Sequence, residues 1–396
     1  MSITGAAMSM SLSTGSRSLL PRQPIRSLCR FLNTSSSTFP TITPLYPHTP
    51  QYAYSIGLSY SSKSSPPFLQ PGEKVRPYGF LEKQETEIGK WVGQMMDLEA
   101  GRGELVSSAL GGWGQDVRDQ VRKWGAGEDF FAVQSVKGDL HLALSDGVGG
   151  WGDRVDPSLF SQALCYHYAR SARSLGSQRS ESIDPQDLLR SGYKDVLADK
   201  AVSAGGSTLV GVRLDEEGEG RFVNLGDSGY AILRDDKVKH ISSPQTHFFN
   251  CPVQLSKVPS SMGQMGIIHD SPESADVESH GLEVGDVVVL FTDGLSDNLP
   301  VPHLPLLSSA LTRLLDSPTN AHLSPSERDA ERARLFADML VGYGRMAMAR
   351  TGDEDGGKGW KTPFELEARE KMPQWGWKGG KIDDITVITA VVSEKD

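Results

Sequence analysis

Apolar and polar positions alternate with a period of two in several stretches between residues 130 and 234, as expected of half-buried strands. Phe130–Val136 (FFAVQSV) and Asp139–Ser145 (DLHLALS) share this pattern, and Lys137-Gly138 between them predicts a hairpin. Residues 207–214 (STLVGVRL), 221–225 (RFVNL) and 230–234 (YAILR) read as a meander, with the DSG at 227–229 as the turn between its last two strands. Residues 286–292 (DVVVLFT) and 385–392 (ITVITAVV) are nearly continuous β-branched runs, which predicts buried central strands. A 3.6-residue period replaces the period of two elsewhere. Asp156-Pro157 starts a helix over LFSQALCYHYARSARSL, Asp184-Pro185 starts a second reaching about residue 201, and 324–349 forms a third. Strands in pairs, helices in pairs and further strands predict an α+β fold with sheet packed on sheet and helices outside. Residues 351–380, rich in Gly, Lys and acids, read as a surface excursion.

Composition narrows this picture. The chain has 396 residues, 38% hydrophobic and 23% charged, an ordinary globular balance. No run of eighteen apolar residues predicts a membrane span, and a net charge of −10 lacks the basic footprint of a nucleic-acid binder. Cys29, Cys165 and Cys251 have no paired spacing, so neither disulfides nor a thiolate zinc site is expected. The histidines form no HxxxH or HxH pair, so no histidine metal site is expected either. A monomer is expected.

The charge is unevenly spread. Up to Gly72 there is no Asp or Glu, while Arg17, Arg22, Arg26, Arg30 and Lys63 are basic and Ser, Thr and Pro abound. Residues 1–72 therefore read as an organellar transit peptide, mitochondrial ahead of chloroplast, the bland alternative being a disordered tail. Residues 18–32 are its most amphipathic part, although Pro21 and Pro24 would break a helix. From about Arg76 onward no linker divides the chain, and 76–396 is expected to form one domain.

Three acids share one layout. Asp146 follows a strand and opens DGVGG, Asp293 follows a strand and opens DGLSDN, and Asp383-Asp384 immediately precede a strand. If the three strands are antiparallel neighbours, these acids meet at one end of a sheet. Packed carboxylates repel, and a divalent cation removes the conflict; hard oxygen ligands select Mg²⁺ or Mn²⁺ over zinc. Gly147 would let the backbone approach closely and offer its carbonyl, and Glu128-Asp129 would add outer carboxylates. Each motif alone is more often a turn. Asp227 reads as a structural hairpin residue and Asp297 as the cap of a helix beyond Leu299.

In their order, GEDFFAV, LALSDGVGGW, GGSTLVGV with NLGDSGYAILR, VVLFTDGLSDN and DDITVITAVV resemble the motifs of the type 2C, metal-dependent protein phosphatases over roughly residues 127–392. The VDPS at 155–158, QTHFFNCPVQL at 245–255, DSP at 270–272 with Ala275-Asp276, and TPF at 362–364 resemble the mitochondrial branch of that family. The resemblance implies a central β-sandwich flanked by helices, phosphorylated proteins as substrates, the mitochondrial matrix as location and two bound Mg²⁺ or Mn²⁺ ions. It implies that Asp146 bridges both ions, Gly147 binds one, Asp293 and Asp383 bind the other, and Asp129 and Glu128 stand nearby. Phosphoserine and phosphothreonine would be hydrolysed by a hydroxide bridging the ions. Two positions depart from the family. Val148 stands where a histidine is common, and Trp124 where a phosphate-binding arginine is usual, with Arg122, Lys123 or Arg154 as substitutes. Asp384 stands where many relatives carry Asn, so two acids compete for one role and Asp383 is preferred. A catalytically weak relative that binds phosphoproteins or a partner is the alternative reading.

Overall fold

The computed structural model describes residues 51–69, 78–98, 124–151, 155–178, 182–259, 267–353 and 358–395. Along the chain run β1 (Tyr52–Ser61), α1 (Glu87–Asp97), β2 (Phe130–Val136), β3 (Asp139–Ser145), α2 (Pro157–Gln178), α3 (Pro185–Ala198), β4 (Gly205–Ser207), β5 (Leu209–Leu214), β6 (Glu219–Leu225), β7 (Gly229–Arg234) and β8 (Lys237–Ile241). After them come β9 (Thr246–Phe248), β10 (Cys251–Pro252), β11 (Leu255–Lys257), β12 (Asp276–Gly281), β13 (Val287–Phe291), α4 (Asp293–Ser296), α5 (His303–Leu315), α6 (Pro325–Met348), α7 (Pro363–Lys371) and β14 (Ile385–Glu394).

Two antiparallel sheets organise the chain. The first has the order β1-β14-β13-β7-β8 and the second β12-β6-β5-β3-β2. The continuous apolar runs of β13 and β14 have a simple cause: both faces of the first sheet are covered. Val288, Leu290, Ile388, Ala390 and Val392 point into a core shared with the second sheet, among Leu142, Val212 and Phe222. Their neighbours Val287, Val289, Phe291, Val387 and Val391 point the other way, against Leu311 of α5 and Phe336, Leu340 and Val341 of α6. Each Val, Leu, Ile or Phe side chain among them contributes about 1.5–3 kcal/mol by leaving water. α2 and α3 cover the outer face of the second sheet with Leu164, Ala169, Leu188 and Leu189. The layers are therefore helix, sheet, sheet, helix, the expected α+β sandwich.

Local signals set the element ends. Lys137 and Gly138 both have positive φ, 52° and 93°, the two-residue turn whose twist suits a β2-β3 hairpin. Ser324 and Glu327 form a capping box at the start of α6, with Pro325 in the first turn. Among the described residues no helix is long and apolar enough to cross a membrane.

Four expectations are corrected. Residues 52–61, read as part of the leader, form edge strand β1, paired along its whole length with β14. Leu58 and Tyr60 are core residues, but serines between the apolar positions and the lack of acids masked the alternation. The targeting reading of residues 1–50 lies outside the described residues. The meander is split: β5 and β6 pair in the second sheet, but β7 pairs with β13 in the first, so residues 226–228 cross between sheets instead of closing a hairpin. The excursion at 351–380 contains α7, where Phe364 and Glu365 are buried and the Gly379 N–H donates to Glu365 Oε2 at 2.8 Å. Asp297 caps no helix beyond Leu299; it ends α4, and α5 starts behind Pro302.

Candidate active site

One end of the sandwich collects the acids. Asp146 stands directly after β3 in the second sheet, whereas Asp293 opens α4 after β13 and Asp383 precedes β14, both in the first. The three strands are thus not all neighbours, and the acids meet across the gap between the sheets. The inter-sheet crossing brings a fourth, Asp227: one carboxylate oxygen each from Asp146, Asp227 and Asp293 lie within 4.8 Å of one another. Sequence reading missed Asp227 because DSG between two strands has the composition of a hairpin turn.

The backbone around these acids is fastened. Asp146 N–H donates to Thr208 Oγ1 at 3.2 Å, and the Thr208 N–H donates to the Asp146 carbonyl at 3.0 Å. Thr208 Oγ1 also shares a hydrogen bond with Ser228 Oγ, 2.8 Å away, which ties the β3 end to the crossing. Two glycines permit close approach. A Cβ at Gly147 would lie 2.7 Å from the Glu128 carbonyl, to which the Gly147 N–H donates at 3.2 Å. A Cβ at Gly127, where φ is +71°, would lie 1.9 Å from Asp384 Oδ1.

Asp383 and Asp384 separate by environment. Asp384 is buried and fully engaged: Oδ1 accepts from the Lys63 N–H at 2.7 Å, Oδ2 from the Glu128 N–H at 3.0 Å, and Lys63 Nζ lies 3.1 Å from Oδ2. It is a brace between the segment after β1 and the start of β2. Asp383 keeps a partly exposed carboxylate, 3.0 Å from Lys381 Nζ. Asp129 accepts from Thr292 Oγ1 at 2.8 Å through Oδ2, while its Oδ1 is buried without a hydrogen-bond partner. Glu128 pairs with Lys63 Nζ at 2.6 Å.

Electrostatics reflect the crowding. Burial first, then the charges of Asp293, Asp129, Asp383 and Asp227, push the Asp146 carboxyl well above the usual range. Burial and the neighbouring acids do the same to Asp227 and Asp129 and raise Asp383, where Lys381 and Lys63 oppose the rise. Burial with Asp293 beside it raises Asp297 to about 7 although Lys381 opposes the rise. Burial acts most strongly on Asp293 and would raise it, but Lys381 at 2.6 Å, together with Asp146 and Lys63, outweighs burial and holds that carboxyl below its ordinary value. Lys381 contacts Asp293, Asp297 and Asp383 at once, and Asn298 fixes it by accepting from its N–H at 3.0 Å and donating to its carbonyl at 2.9 Å. The segment carrying Lys63 is braced from below by Arg345, which donates to the carbonyls of Ser62, Ser65 and Pro66. Neither lysine was legible as a site residue, because a lone Lys in a loop carries no pattern.

The donor set fits hard divalent cations: carboxylates only, crowded, buried, with Asp129 Oδ1 and Asp227 Oδ1 lacking hydrogen-bond partners. Comparison with known proteins decides the family. The family model "Protein phosphatase 2C" matches residues 125–326. The chain belongs to the type 2C protein phosphatases. The human "Protein phosphatase PTC7 homolog" is 33% identical over 297 residues, covering 73% of this chain and 88% of the relative. The zebrafish (Danio rerio) PTC7 homolog is 31% identical over 310 residues, covering 76% and 94%. The "Probable protein phosphatase 2C 26" of Arabidopsis thaliana is 32% identical, covering 69% and 80%. Among solved structures, that of the photosystem II phosphatase PBCP superposes with a TM-score of 0.50 at 27% identity, covering 67% of this chain and 91% of that one. This type 2C phosphatase is accordingly a protein serine/threonine phosphatase. Its two departures stand in the structure: Val148 is half-buried with its N–H donating to the Gly206 carbonyl, and Trp124 is buried. Arg122, Lys123 and Arg154 lie outside the described residues.

Proposed function

We propose that the chain hydrolyses phosphoserine and phosphothreonine on proteins with two divalent cations, Mg²⁺ or Mn²⁺, held by Asp146, Gly147, Asp293 and Asp383. The observation that carries this reading is the meeting of Asp146 with Asp293 across the two sheets among buried, partnerless carboxylate oxygens. Bound there, the cations would neutralise the acids and supply a water that ionises near neutral pH. Asp146, central to the cluster, is the group both would share. Asp129 and Glu128 would hold waters around the cations, and Asp384 keeps Glu128 in place by accepting from the Glu128 backbone N–H. Lys63, one-third exposed, offers the phosphoryl oxygens the positive charge that Trp124 does not. Val148 has no proton to give, so the leaving oxygen would take its proton from water or from another side chain.

Val148 and Trp124 favour a second reading, a weak relative that holds phosphoproteins without hydrolysing them. The purified chain with a phosphothreonine peptide is expected to turn over only with added Mn²⁺ or Mg²⁺. Cation binding without turnover would establish the second reading. Faster hydrolysis of nucleotides or small phosphometabolites than of the peptide would sink protein as the substrate.

The carboxyl shifts fix a pH dependence. Asp146, Asp227 and Asp129 hold protons in the folded state at pH values where the unfolded chain, with carboxyls near pH 4, has released them. The folded state then binds more protons, so stability of the cation-free protein falls as pH rises above about 4. A divalent cation is expected to raise the melting temperature more at pH 8 than at pH 5.5. Equal shifts at both values would contradict this.

The acid-free, Arg-bearing stretch over residues 1–50 supports delivery to the mitochondrial matrix. Imaging a tagged chain with and without residues 1–50 tests it; removal through residue 72 would also delete β1. Plastid signal would refute this address, and unchanged mitochondrial signal after deletion would refute residues 1–50 as its carrier.

A further inference from the structure

A second group of ligating side chains lies at the lateral edge of the sandwich and shares no residue with the acidic cluster. β8 is the last strand of the first sheet and β12 the first of the second. Glu278 and His280, two apart on β12, project to one face, as a strand's period requires. They meet His240 of β8. Glu278 Oε2 lies 3.1 Å from His240 Nε2 and 3.1 Å from His280 Nε2, and the three ligand atoms all fall within 4.8 Å of one another.

The group is held rigidly. Phe222 stacks on Tyr230 with centroids 4.1 Å apart, Tyr230 stacks on His240 at 5.2 Å, and His280 packs edge-on against Phe222 at 5.5 Å. Both imidazoles are therefore fixed by aromatic neighbours. Tyr230 Oη donates to Glu278 Oε2 at 3.0 Å, which orients the carboxylate from outside the ligand set. His240 Nε2 is buried and has no hydrogen-bond partner, its approach to Glu278 notwithstanding. The Glu278 side chain is 44% exposed, so solvent reaches the group.

We propose that His240, Glu278 and His280 bind one Zn²⁺ ion, which clips the edge of one sheet to the edge of the other. Two imidazole nitrogens and a carboxylate suit zinc, not the Mg²⁺ or Mn²⁺ that all-oxygen sites select, and they leave a fourth position for water. Zinc–ligand bonds of about 2.0–2.2 Å put tetrahedral ligand atoms roughly 3.3–3.6 Å apart, close to the spacing around Glu278 Oε2. The sequence hid this site because its ligands come from two strands far apart in the chain, without an HxH or HxxxH pair.

The test is a zinc titration of the full chain, stripped of metals and then saturated with Mg²⁺ so that the acidic cluster is filled. The wild type is expected to take up one Zn²⁺, with a rise in melting temperature. His240→Ala and His280→Ala are each expected to weaken that uptake by more than the ~10–100-fold that loss of an outer partner costs, while Mg²⁺-supported phosphatase activity stays unchanged. A measurement on the wild type alone guards against misfolded variants: the Nε2 ¹⁵N resonances of His240 and His280 should move with zinc, and that of His247 should not. Uptake of no zinc in the presence of Mg²⁺, variants that bind like the wild type, or unmoved Nε2 resonances would each overturn the proposal.

Discussion

Asp146→Asn is expected to lose ~10²–10³-fold in kcat on a phosphothreonine peptide, the scale of removing a principal charge-stabilising group, while the chain stays folded. The substitution keeps the shape of the side chain and removes only charge. In the cation-free protein that charge is a burden, since burial and four neighbouring acids all disfavour it. The variant should therefore melt at a higher temperature than the wild type without cations. Conversely, the melting shift produced by added Mn²⁺ should largely disappear, because stabilisation by a ligand follows its affinity for the folded state. Loss of activity together with a gain in cation-free stability separates a ligand from a merely structural acid. Retained turnover, or a melting temperature that falls, would show that Asp146 is not the shared group.

The parts of the fold that were legible in the sequence are those where a single physical cause dominates. The bounds of β2 and β3 match the reading because the turn between them needs two positive-φ residues, although Phe130–Ala132 and His141–Ser145 are buried without a break, since α2 covers the outer face of their sheet. β13 is apolar throughout and β14 nearly so because helices cover one face of their sheet and the second sheet covers the other. What was not legible depends on where the chain goes after a strand ends. Gly-Asp-Ser at 226–228 has the composition of a hairpin turn, yet it crosses between sheets, and that crossing carries Asp227 to Asp146 and Asp293. Lys63 and Lys381 reach the acids from loops, and nothing local to either residue encodes its partners. Strand ends could be read as positions of chemistry; the pairing of ends from different sheets could not.

Asp383 and Asp384 are adjacent in sequence, and their amide variants are expected to fail in different ways. Asp384 accepts from the N–H groups of Lys63 and Glu128 through its two oxygens and pairs with Lys63 Nζ. In Asp384→Asn one of those oxygens becomes a donor that faces another donor, and the pairing charge is gone. Asp384→Ala removes every partner and leaves the buried N–H groups unmet, a loss of ~3–5 kcal/mol for a broken buried pair. Urea unfolding of the cation-free proteins should show that loss for Asp384→Ala and a smaller one for Asp384→Asn. Asp383 stands apart, since burial and Asp293 disfavour its charge and its main partner, Lys381, has two other carboxylates to hold. Asp383→Asn should therefore unfold at a urea concentration no lower than the wild type, but require far more Mn²⁺ for half-maximal activity. Asp384→Asn, while folded, should respond to Mn²⁺ nearly as the wild type does, because its role is to hold Glu128 and Lys63 in place. If Asp384→Asn is instead stable and Mn²⁺-starved while Asp383→Asn unfolds easily, the two acids have been assigned the wrong way round.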